Sequence, residues 1–299
     1  MLMTASKLTI DLKAIAKNWR TLDAQSAVAE TAAVVKADAY GLGIEPVAQA
    51  LWHTGCRCYF VAHLSEASSL RQALPEAEIH VLNGLTAAPA DYEAQSLQPV
   101  LNSLDQLEHW SGHSSDKRTF IHIDTGMSRL GLDAEETEDL VDSPERLQGL
   151  KQPWILSHLA SAEEADNLEN DLQLEQLTQV KRQLGLPLCF ANSSGIFLGP
   201  DYHFELLRPG VALYGGTPTP GKPNPMAPVV GLSCPIIQIR DIPKGRPVGY
   251  NGTWRAPAPS RIATIPLGYA DGFARTHSSA QQEPKTHLFW QGQAVPVVG

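Results

Sequence analysis

Cysteine is scarce in this chain of 299 residues, and the few cysteines form no recognisable site. Cys56, Cys58, Cys189 and Cys234 make no CxxC pair and no spacing typical of metal ligands. No histidine–carboxylate group has ligand spacing either, so we predict no metal site. Isolated thiols indicate a reducing compartment, and we expect a cytoplasmic protein.

Long apolar runs and basic clusters are missing too. No apolar run approaches the roughly 20 residues of a membrane span. The N-terminal MLMTASKLTIDL lacks the basic and apolar segments of a signal peptide. The formal net charge is −9, and the lysines and arginines are not clustered. We therefore predict that neither a membrane nor a nucleic acid is a partner.

β-Rich apolar runs alternate with helical patterns over most of the chain. Helices are predicted at 43–55, 64–74 and 168–185. Strands are predicted at 32–37, 59–62, 79–82, 99–102, 120–124, 154–159, 188–192 and 206–215. Several strands are continuously apolar, as expected when both faces are buried. The alternation predicts a (β/α)8 barrel. A doubly wound open sheet is the competing fold, but no GxGxxG follows the first strand.

The pattern changes near residue 216. The Pro/Gly-rich run GTPTPGKPNPMAP is typical of a linker, and short strands without helices follow it. We predict a barrel domain at 1–222 and a smaller all-β domain at 223–299. The final HLFWQGQAVPVVG is a predicted hairpin whose last strand stops with a free apolar edge. We therefore expect the β domain to be incomplete, and the chain to be a fragment with weakened dimerisation and activity.

Polar side chains end several predicted barrel strands, where the sites of such barrels lie. They are Lys36, Asp124 with the nearby Arg129, His158, the run Asn192–Gly195, and Arg208. Each has a structural alternative: a strand-end lysine can pair with a carboxylate, a lone histidine is commonly structural, and an arginine can bridge two loops. Their convergence on one rim favours a functional site.

Lys36 indicates which chemistry could take place at this end of the barrel. A desolvated lysine suits covalent bonding to an aldehyde. The loops after strands seven and eight often hold a phosphate in such barrels. An aldehyde and a phosphate together indicate pyridoxal 5′-phosphate as cofactor. Tyr40, four residues beyond Lys36, could reach the same phosphate.

Six motifs in order carry a family resemblance. They are AVVKADAYGLG (33–43), HIDTGMSRLG (122–131), SHLASAEE (157–164), ANSSG (191–195), LRPGVALYG (207–215) and PLGYADG (266–272). With them the chain resembles an alanine racemase from about residue 8 to its last residue. The resemblance implies interconversion of L-alanine and D-alanine, which supplies D-alanine for cell-wall peptidoglycan.

The resemblance also implies a role for each matching residue. Lys36 and Tyr269 would be the two bases, and Lys36 would also link to the cofactor. His158 would lie against the cofactor ring, Arg208 would face the ring nitrogen, and Arg129 would bind the substrate carboxylate. The phosphate would be held by Tyr40, Ser193, Gly210 and Val211. Racemisation needs a base on each face of the substrate Cα. The family takes the tyrosine from a partner subunit, which implies a head-to-tail homodimer with shared sites.

His122 departs from the family pattern. Many relatives have a lysine there, carbamylated to orient the substrate arginine, and histidine cannot carry that group. Period-2 alternation places His122 on the same face as Asp124. Two interpretations stay open: His122 hydrogen-bonds near Arg129, or it only fills the barrel. Two alternative functions also remain, a racemase of broader specificity and a non-catalytic barrel that binds pyridoxal phosphate.

Overall fold

The computed structural model describes residues 5–113, 116–277 and 286–299. The chain forms two compact units. One is Ile10–Val230, and the other combines the chain up to Thr9 with Gly231–Gly299. None of the helices within the described ranges is long and apolar enough to cross a bilayer.

The larger unit is a closed barrel of eight parallel strands. They are Glu30–Thr31 continued by Ala33–Val34, then Cys58–Val61, Glu78–Val81, Gln98–Pro99, Thr119–His122, Pro153–Leu156, Leu188–Cys189 and Leu206–Leu207. A parallel bridge between Leu101 and Ile121 joins the fourth strand to the fifth. The first strand closes the ring, because Ala32 N donates to Leu207 O and Val35 N to Phe60 O, each at 2.9 Å. The predicted barrel is confirmed.

Helices follow the strands and pack around them. The helices are Leu12–Asp23, Ile44–Thr54, Leu64–Ala73, Pro89–Glu93, Leu104–Trp110, Ala134–Asp142 and Leu168–Leu184. Asp11, Ser103, Asp133 and Asn167 cap four of them by accepting hydrogen bonds from first-turn amides. Leu168–Leu184 ends at Gly185, whose φ of 67° gives the left-handed cap that the sequence predicts.

The core lies on both sides of the strands. Tyr59 and Phe60 are consecutive and both fully buried: Tyr59 packs in the layer beneath the helices, and Phe60 packs inside the barrel. Phe120 lies next to Phe60 in the interior, with ring centroids 5.4 Å apart. Burial of both faces is the physical reason for the continuous apolar runs in the sequence.

Two predicted strands are shorter in the structure. The first was predicted to run through Lys36, but regular pairing ends at Val34, and Lys36–Gly41 forms a helical turn. The eighth was predicted over 206–215, but only Leu206–Leu207 is a strand, and Val211–Tyr214 forms a 3₁₀ helix. Pro209 has no N–H to continue a ladder, so the chain turns there.

The second unit is all-β in its regular structure, as predicted. Val230–Ser233 pairs with Lys7–Ile10, Gln238–Ile242 with Ser260–Thr264, and Pro247–Val248 with Trp254–Arg255. His287–Trp290 and Gln293–Pro296 form the predicted hairpin. Its two turn residues, Gln291 and Gly292, have φ of 49° and 81°. Positive φ at both turn positions matches the right-handed twist of the flanking strands.

An ionic network closes the amino-terminal end of the barrel. The guanidinium of Arg118 donates to both carboxylate oxygens of Glu78, at 2.8 and 2.6 Å, and to Glu30 at 2.6 Å. The fully buried His80 contacts Glu78 at 3.0 Å. Cys58, Glu78 and His80 place their donor atoms within 4.8 Å of one another, a cluster from neighbouring strands that sequence spacing could not show. Because Arg118 already occupies both Glu78 oxygens, this cluster is an ion-pair network and carries no metal assignment.

Loss of Arg118 should destabilise the barrel strongly. Arg118 is only 10% exposed, and the Arg118→Ala variant removes the cation that pairs with Glu78 and Glu30, so we expect a loss of about 3 kcal/mol in unfolding free energy. The measurement is urea denaturation. The matched control is Lys151→Ala, which breaks a pair whose partners are 59% and 88% exposed and should cost less than about 1 kcal/mol. Equal losses in both variants would contradict the assignment.

Candidate functional site

A cavity of about 560 Å³ opens at the carboxyl ends of the barrel strands. Its lining includes all eight barrel residues to which the sequence analysis assigns a role: Lys36, Tyr40, Arg129, His158, Ser193, Arg208, Gly210 and Val211. They come from segments 36–211, and closure of the barrel brings them together. Tyr269, the ninth residue with an assigned role, belongs to the second unit.

Lys36 enters the cavity at the start of an unusual turn. The four residues Ala37–Tyr40 all have φ between 53° and 57°, the left-handed helical region. That conformation costs L-residues about 1–2 kcal/mol each. The half-buried Lys36 has a pKa below its ordinary value, mainly because of burial and then because of the charges of Arg129 and Arg208. A lowered pKa favours the neutral, nucleophilic amine.

Tyr40 extends from the same turn towards the end of the eighth strand. Its ring stacks on Tyr214 with centroids 4.6 Å apart, and the Tyr214 hydroxyl donates to Val34 O at 2.9 Å. A Cβ added to Gly210 would lie 2.6 Å from the Tyr40 hydroxyl, so only glycine allows this approach. Burial raises the pKa of Tyr40, which keeps its phenol protonated as a hydrogen-bond donor.

Ser193 organises the backbone beside Tyr40. Its Oγ accepts from Gly210 N at 3.0 Å and from Ala212 N at 3.2 Å. Ser193 is 4% exposed, and its hydroxyl hydrogen has no acceptor in the hydrogen bonds of the described residues. The Tyr40 and Ser193 hydroxyls and the backbone near Gly210 therefore form a small polar cradle suited to an anion.

Arg208 lines the cavity and makes one hydrogen bond through each of its two Nη atoms. Its Nη2 donates to Ser157 O at 2.6 Å, and Nη1 contacts His158 Nδ1 at 3.3 Å. Burial, followed by the charge of Arg208, holds the pKa of His158 well below its ordinary value, so a neutral His158 accepts from the arginine. The buried Nε–H of Arg208 has no partner among the described residues. A buried unsatisfied donor is costly, and an acceptor on a ligand would satisfy it.

Arg129 belongs to a loop whose conformation the Asp124 carboxylate stabilises. Asp124 Oδ1 accepts from the amides of Gly126, Met127 and Ser128 at 2.9–3.1 Å. Arg129 itself is exposed at the cavity edge, and no hydrogen bond or ion pair joins its side chain to the described residues. Its fork of donors is therefore available to a carboxylate.

His122 is buried in the cavity wall and is not ionised. Its Nδ1 lies 2.8 Å from Asn102 Oδ1, while Asn102 Nδ2 donates to Leu82 O at 3.0 Å. This arrangement assigns the proton to Nδ1 and leaves Nε2 as an acceptor. Burial, followed by the charge of Arg208, lowers the pKa of His122 to about 3.

The cavity fits pyridoxal 5′-phosphate group by group. Lys36 offers an amine to an aldehyde, and the cradle at Ser193, Tyr40 and Gly210 suits a phosphate. The unpartnered Nε–H of Arg208 suits the lone pair of an aromatic nitrogen. Three cationic side chains, Lys36, Arg129 and Arg208, line the wall and favour an anionic ligand.

Sequence reasoning missed three supporting residues. Glu66 accepts from the Ala37 amide at 2.7 Å, Asn102 bonds His122, and Tyr214 stacks on Tyr40. Weak signals existed. Glu66 occupies the first turn of a predicted helix, Asn102 ends the predicted fourth strand, and Tyr214 belongs to the LRPGVALYG motif.

Tyr269 begins a short 3₁₀ helix, Tyr269–Asp271, in the second unit. Its side chain is 59% exposed. The Arg275 guanidinium carbon lies 6.0 Å from its ring centroid, and the Tyr250 ring lies 6.5 Å away. Tyr269 is therefore a surface residue.

Comparisons with known proteins match both parts of the chain to one family. Family models of the alanine racemase N-terminal and C-terminal domains match residues 10–218 and 229–299. An alanine racemase of Acidiphilium cryptum is 48% identical over 99% of this chain and 83% of that protein. A catabolic alanine racemase of Agrobacterium fabrum is 46% identical over 98% of this chain and 76% of that protein. The crystal structure of the Bartonella henselae alanine racemase, with covalently bound pyridoxal phosphate, is 41% identical with a TM-score of 0.89; the match covers 99% of this chain and 83% of that one.

His122 should make the barrel sensitive to acid. Its folded pKa of about 3 lies below the ordinary 6.5, so the unfolded chain binds the extra proton between these values. Stability is therefore full above pH 6.5 and is lost as the pH falls towards 3, by about 1.4 kcal/mol per pH unit. In His122→Gln this contribution should disappear from the slope of unfolding free energy against pH. His109→Gln, at an exposed histidine, is the control; equal slopes in the two variants would contradict a neutral His122.

Proposed function

The chain belongs to the alanine racemase family, and on that premise we propose how its barrel site interconverts L-alanine and D-alanine with pyridoxal 5′-phosphate. One observation carries the proposal. Lys36, the anion cradle at Ser193, and Arg208, whose buried Nε–H has no partner among the described residues, line one cavity. Those three features match the aldehyde, the phosphate and the ring nitrogen of a single cofactor.

Lys36 would hold the cofactor through its amine, and the cradle would hold its phosphate. Tyr40 and Ser193 would donate to the phosphate from their hydroxyls, and the backbone at Gly210 and Val211 lies beside them. His158 would lie against the ring, fixed by its contact with Arg208. When bound, the cofactor withdraws electrons from the substrate Cα and acidifies its proton.

Arg208 would limit side reactions. A guanidinium stays protonated at all ordinary pH values, so it would donate a hydrogen bond to the ring nitrogen without transferring its proton. An unprotonated ring nitrogen would draw less negative charge into the ring, which would disfavour transamination. The short bond from Nη2 to Ser157 O keeps the guanidinium in place.

Two bases on opposite faces would move the Cα proton. Lys36 would serve one face with its amine. Tyr269, which is 59% exposed, would serve the other face from a second copy of the chain, as the resemblance to the family implies. The proposal therefore includes a homodimer with shared sites.

Arg129 would bind the substrate carboxylate, and His122 would support it. The acceptor Nε2 of a neutral His122 is free among the described residues, because Nδ1 is bound to Asn102. Both side chains line the cavity. We infer that His122 accepts a hydrogen bond from Arg129 when substrate is bound, and this arrangement supports that interpretation over simple barrel filling.

We also propose that the enzyme acts in the cytoplasm and supplies D-alanine for peptidoglycan. Expression of the chain should restore growth without added D-alanine to a bacterial strain that requires it, and Lys36→Ala should not. The purified chain should interconvert the two enantiomers. Borohydride reduction of the cofactor-loaded protein, followed by peptide mass analysis, should place the pyridoxyl group on Lys36. A label on any other lysine would sink the assignment.

Tyr269→Phe should separate the two faces. The variant should keep bound cofactor, because Lys36 and the cradle at Ser193 are unchanged, but it should lose most racemisation, about 10²-fold or more. Lys36 should still exchange the Cα proton of one enantiomer with solvent, by analogy with the family D-alanine. Tyr250→Phe, at a neighbouring exposed tyrosine, is the matched control. Equal residual exchange from both enantiomers would show that Tyr269 is not a face-specific base.

A further inference from the structure

The left-handed turn beside Lys36 is held by a carboxylate from another element. Glu66 lies in the first turn of the helix Leu64–Ala73, which follows the second barrel strand. Its Oε1 accepts from Ala37 N at 2.7 Å, and Oε2 accepts from Ala62 N at 2.8 Å and His63 N at 3.2 Å. One carboxylate thus binds the ends of the first and second barrel strands together.

The far end of the turn is fixed by its own side chain. Asp38 Oδ1 accepts from Ile44 N at 2.7 Å, at the start of the next helix. Asp38 holds the exit of the turn, but the entry at Ala37 receives its side-chain hydrogen bond from Glu66. Four consecutive non-glycine residues at positive φ persist only when surrounding contacts impose that conformation.

We propose that Glu66 is a positioning residue for the racemase site: it holds the left-handed turn that aims Lys36 and Tyr40 into the cavity. This inference rests on the proposed function for its catalytic consequence, but its structural part stands alone. Ala37 directly follows Lys36, and Tyr40 ends the run of left-handed residues, so a change at the turn entry would displace both side chains.

Glu66 also acts on Lys36 through its charge. Burial, Arg129 and Arg208 lower the pKa of Lys36, and the Glu66 carboxylate opposes them by raising it. Loss of that charge should make the Lys36 amine reactive at lower pH. A residue that served only to stabilise the fold would not change the pH at which Lys36 becomes reactive.

Glu66→Gln tests the proposal with almost no change in volume. A glutamine amide has one acceptor oxygen, whereas the carboxylate serves three N–H groups with two oxygens. In the cofactor-free chain, hydrogen exchange at the Ala37 amide should become at least about tenfold faster. The dissociation constant for pyridoxal 5′-phosphate should rise about tenfold, and the pH midpoint for acetylation of Lys36 should fall. Glu45→Gln, at an exposed glutamate in the first turn of the neighbouring helix, is the matched control and should change none of these.

A second substitution separates positioning from general stability. Glycine adopts positive φ without steric cost, and the Ala37 side chain is exposed, so Ala37→Gly removes strain but no buried contact. Added to Glu66→Gln, it should recover part of the lost cofactor affinity. The proposal is wrong if Glu66→Gln behaves like Glu45→Gln. It is also wrong if Ala37→Gly recovers no affinity.

Two further measurements keep the inference independent of folding and of the proposed function. If Glu66→Gln does not fold, hydrogen exchange at the Ala37 amide of the wild-type chain tests the proposal instead. Exchange there at the rate of an unstructured amide would overturn the proposal. Racemisation by the wild-type chain is measured in parallel. Its absence would overturn the proposed function while leaving the exchange result at Ala37 to judge the role of Glu66.

Discussion

Closure of the barrel through its first strand is the constraint on which the other features depend. Glu30 and Thr31 pair with the eighth strand, whereas Ala33 and Val34 pair with the second. One short segment therefore joins the beginning and the end of the barrel. Because all the strands are parallel, their carboxyl ends meet at one mouth. Lys36 and Arg208, 172 positions apart in the chain (208 − 36), reach that mouth because the first and eighth strands are neighbours.

The buried arginines at the two ends of the barrel have different electrostatic surroundings. At the amino end, the charge of Arg118 is balanced by the carboxylates of Glu78 and Glu30. At the carboxyl end, Arg208 is 4% exposed and pairs with a carbonyl and a neutral histidine, so its charge is not neutralised. A buried positive charge without a counter-ion is costly. An anionic, acceptor-rich ligand at this end would relieve that cost, and the family's cofactor has this chemistry.

The site also uses backbone conformations that ordinary sequence rules disfavour. The left-handed turn at Ala37–Tyr40 has no glycine, and the bonds from Glu66 and Asp38 stabilise it. Opposite the turn, Gly210 lacks the side chain that would clash with Tyr40. The strained turn extends Tyr40 towards Gly210, and the missing side chain of Gly210 leaves room for the phenol. The phenol therefore lies close to the backbone that hydrogen-bonds to Ser193. Local preferences are violated where the functional geometry requires it.

The sequence by itself determined the fold class and most of the site inventory. Continuous apolar strands alternating with helices predicted the barrel, because hydrophobic periodicity reports directly on which faces are buried. The motifs predicted the eight residues that now line one cavity, since family motifs record residue identity. Only the tertiary structure could decide the remainder. The turn at Lys36 looked like a continued strand, because its conformation is imposed by Glu66 from another element. The neutrality of His122 depends on Asn102 and on burial, and the ion-pair network at Arg118 joins strands that are distant in sequence. Periodicity describes one segment at a time, whereas hydrogen-bond partners, burial and charge are set by segments that meet only after folding.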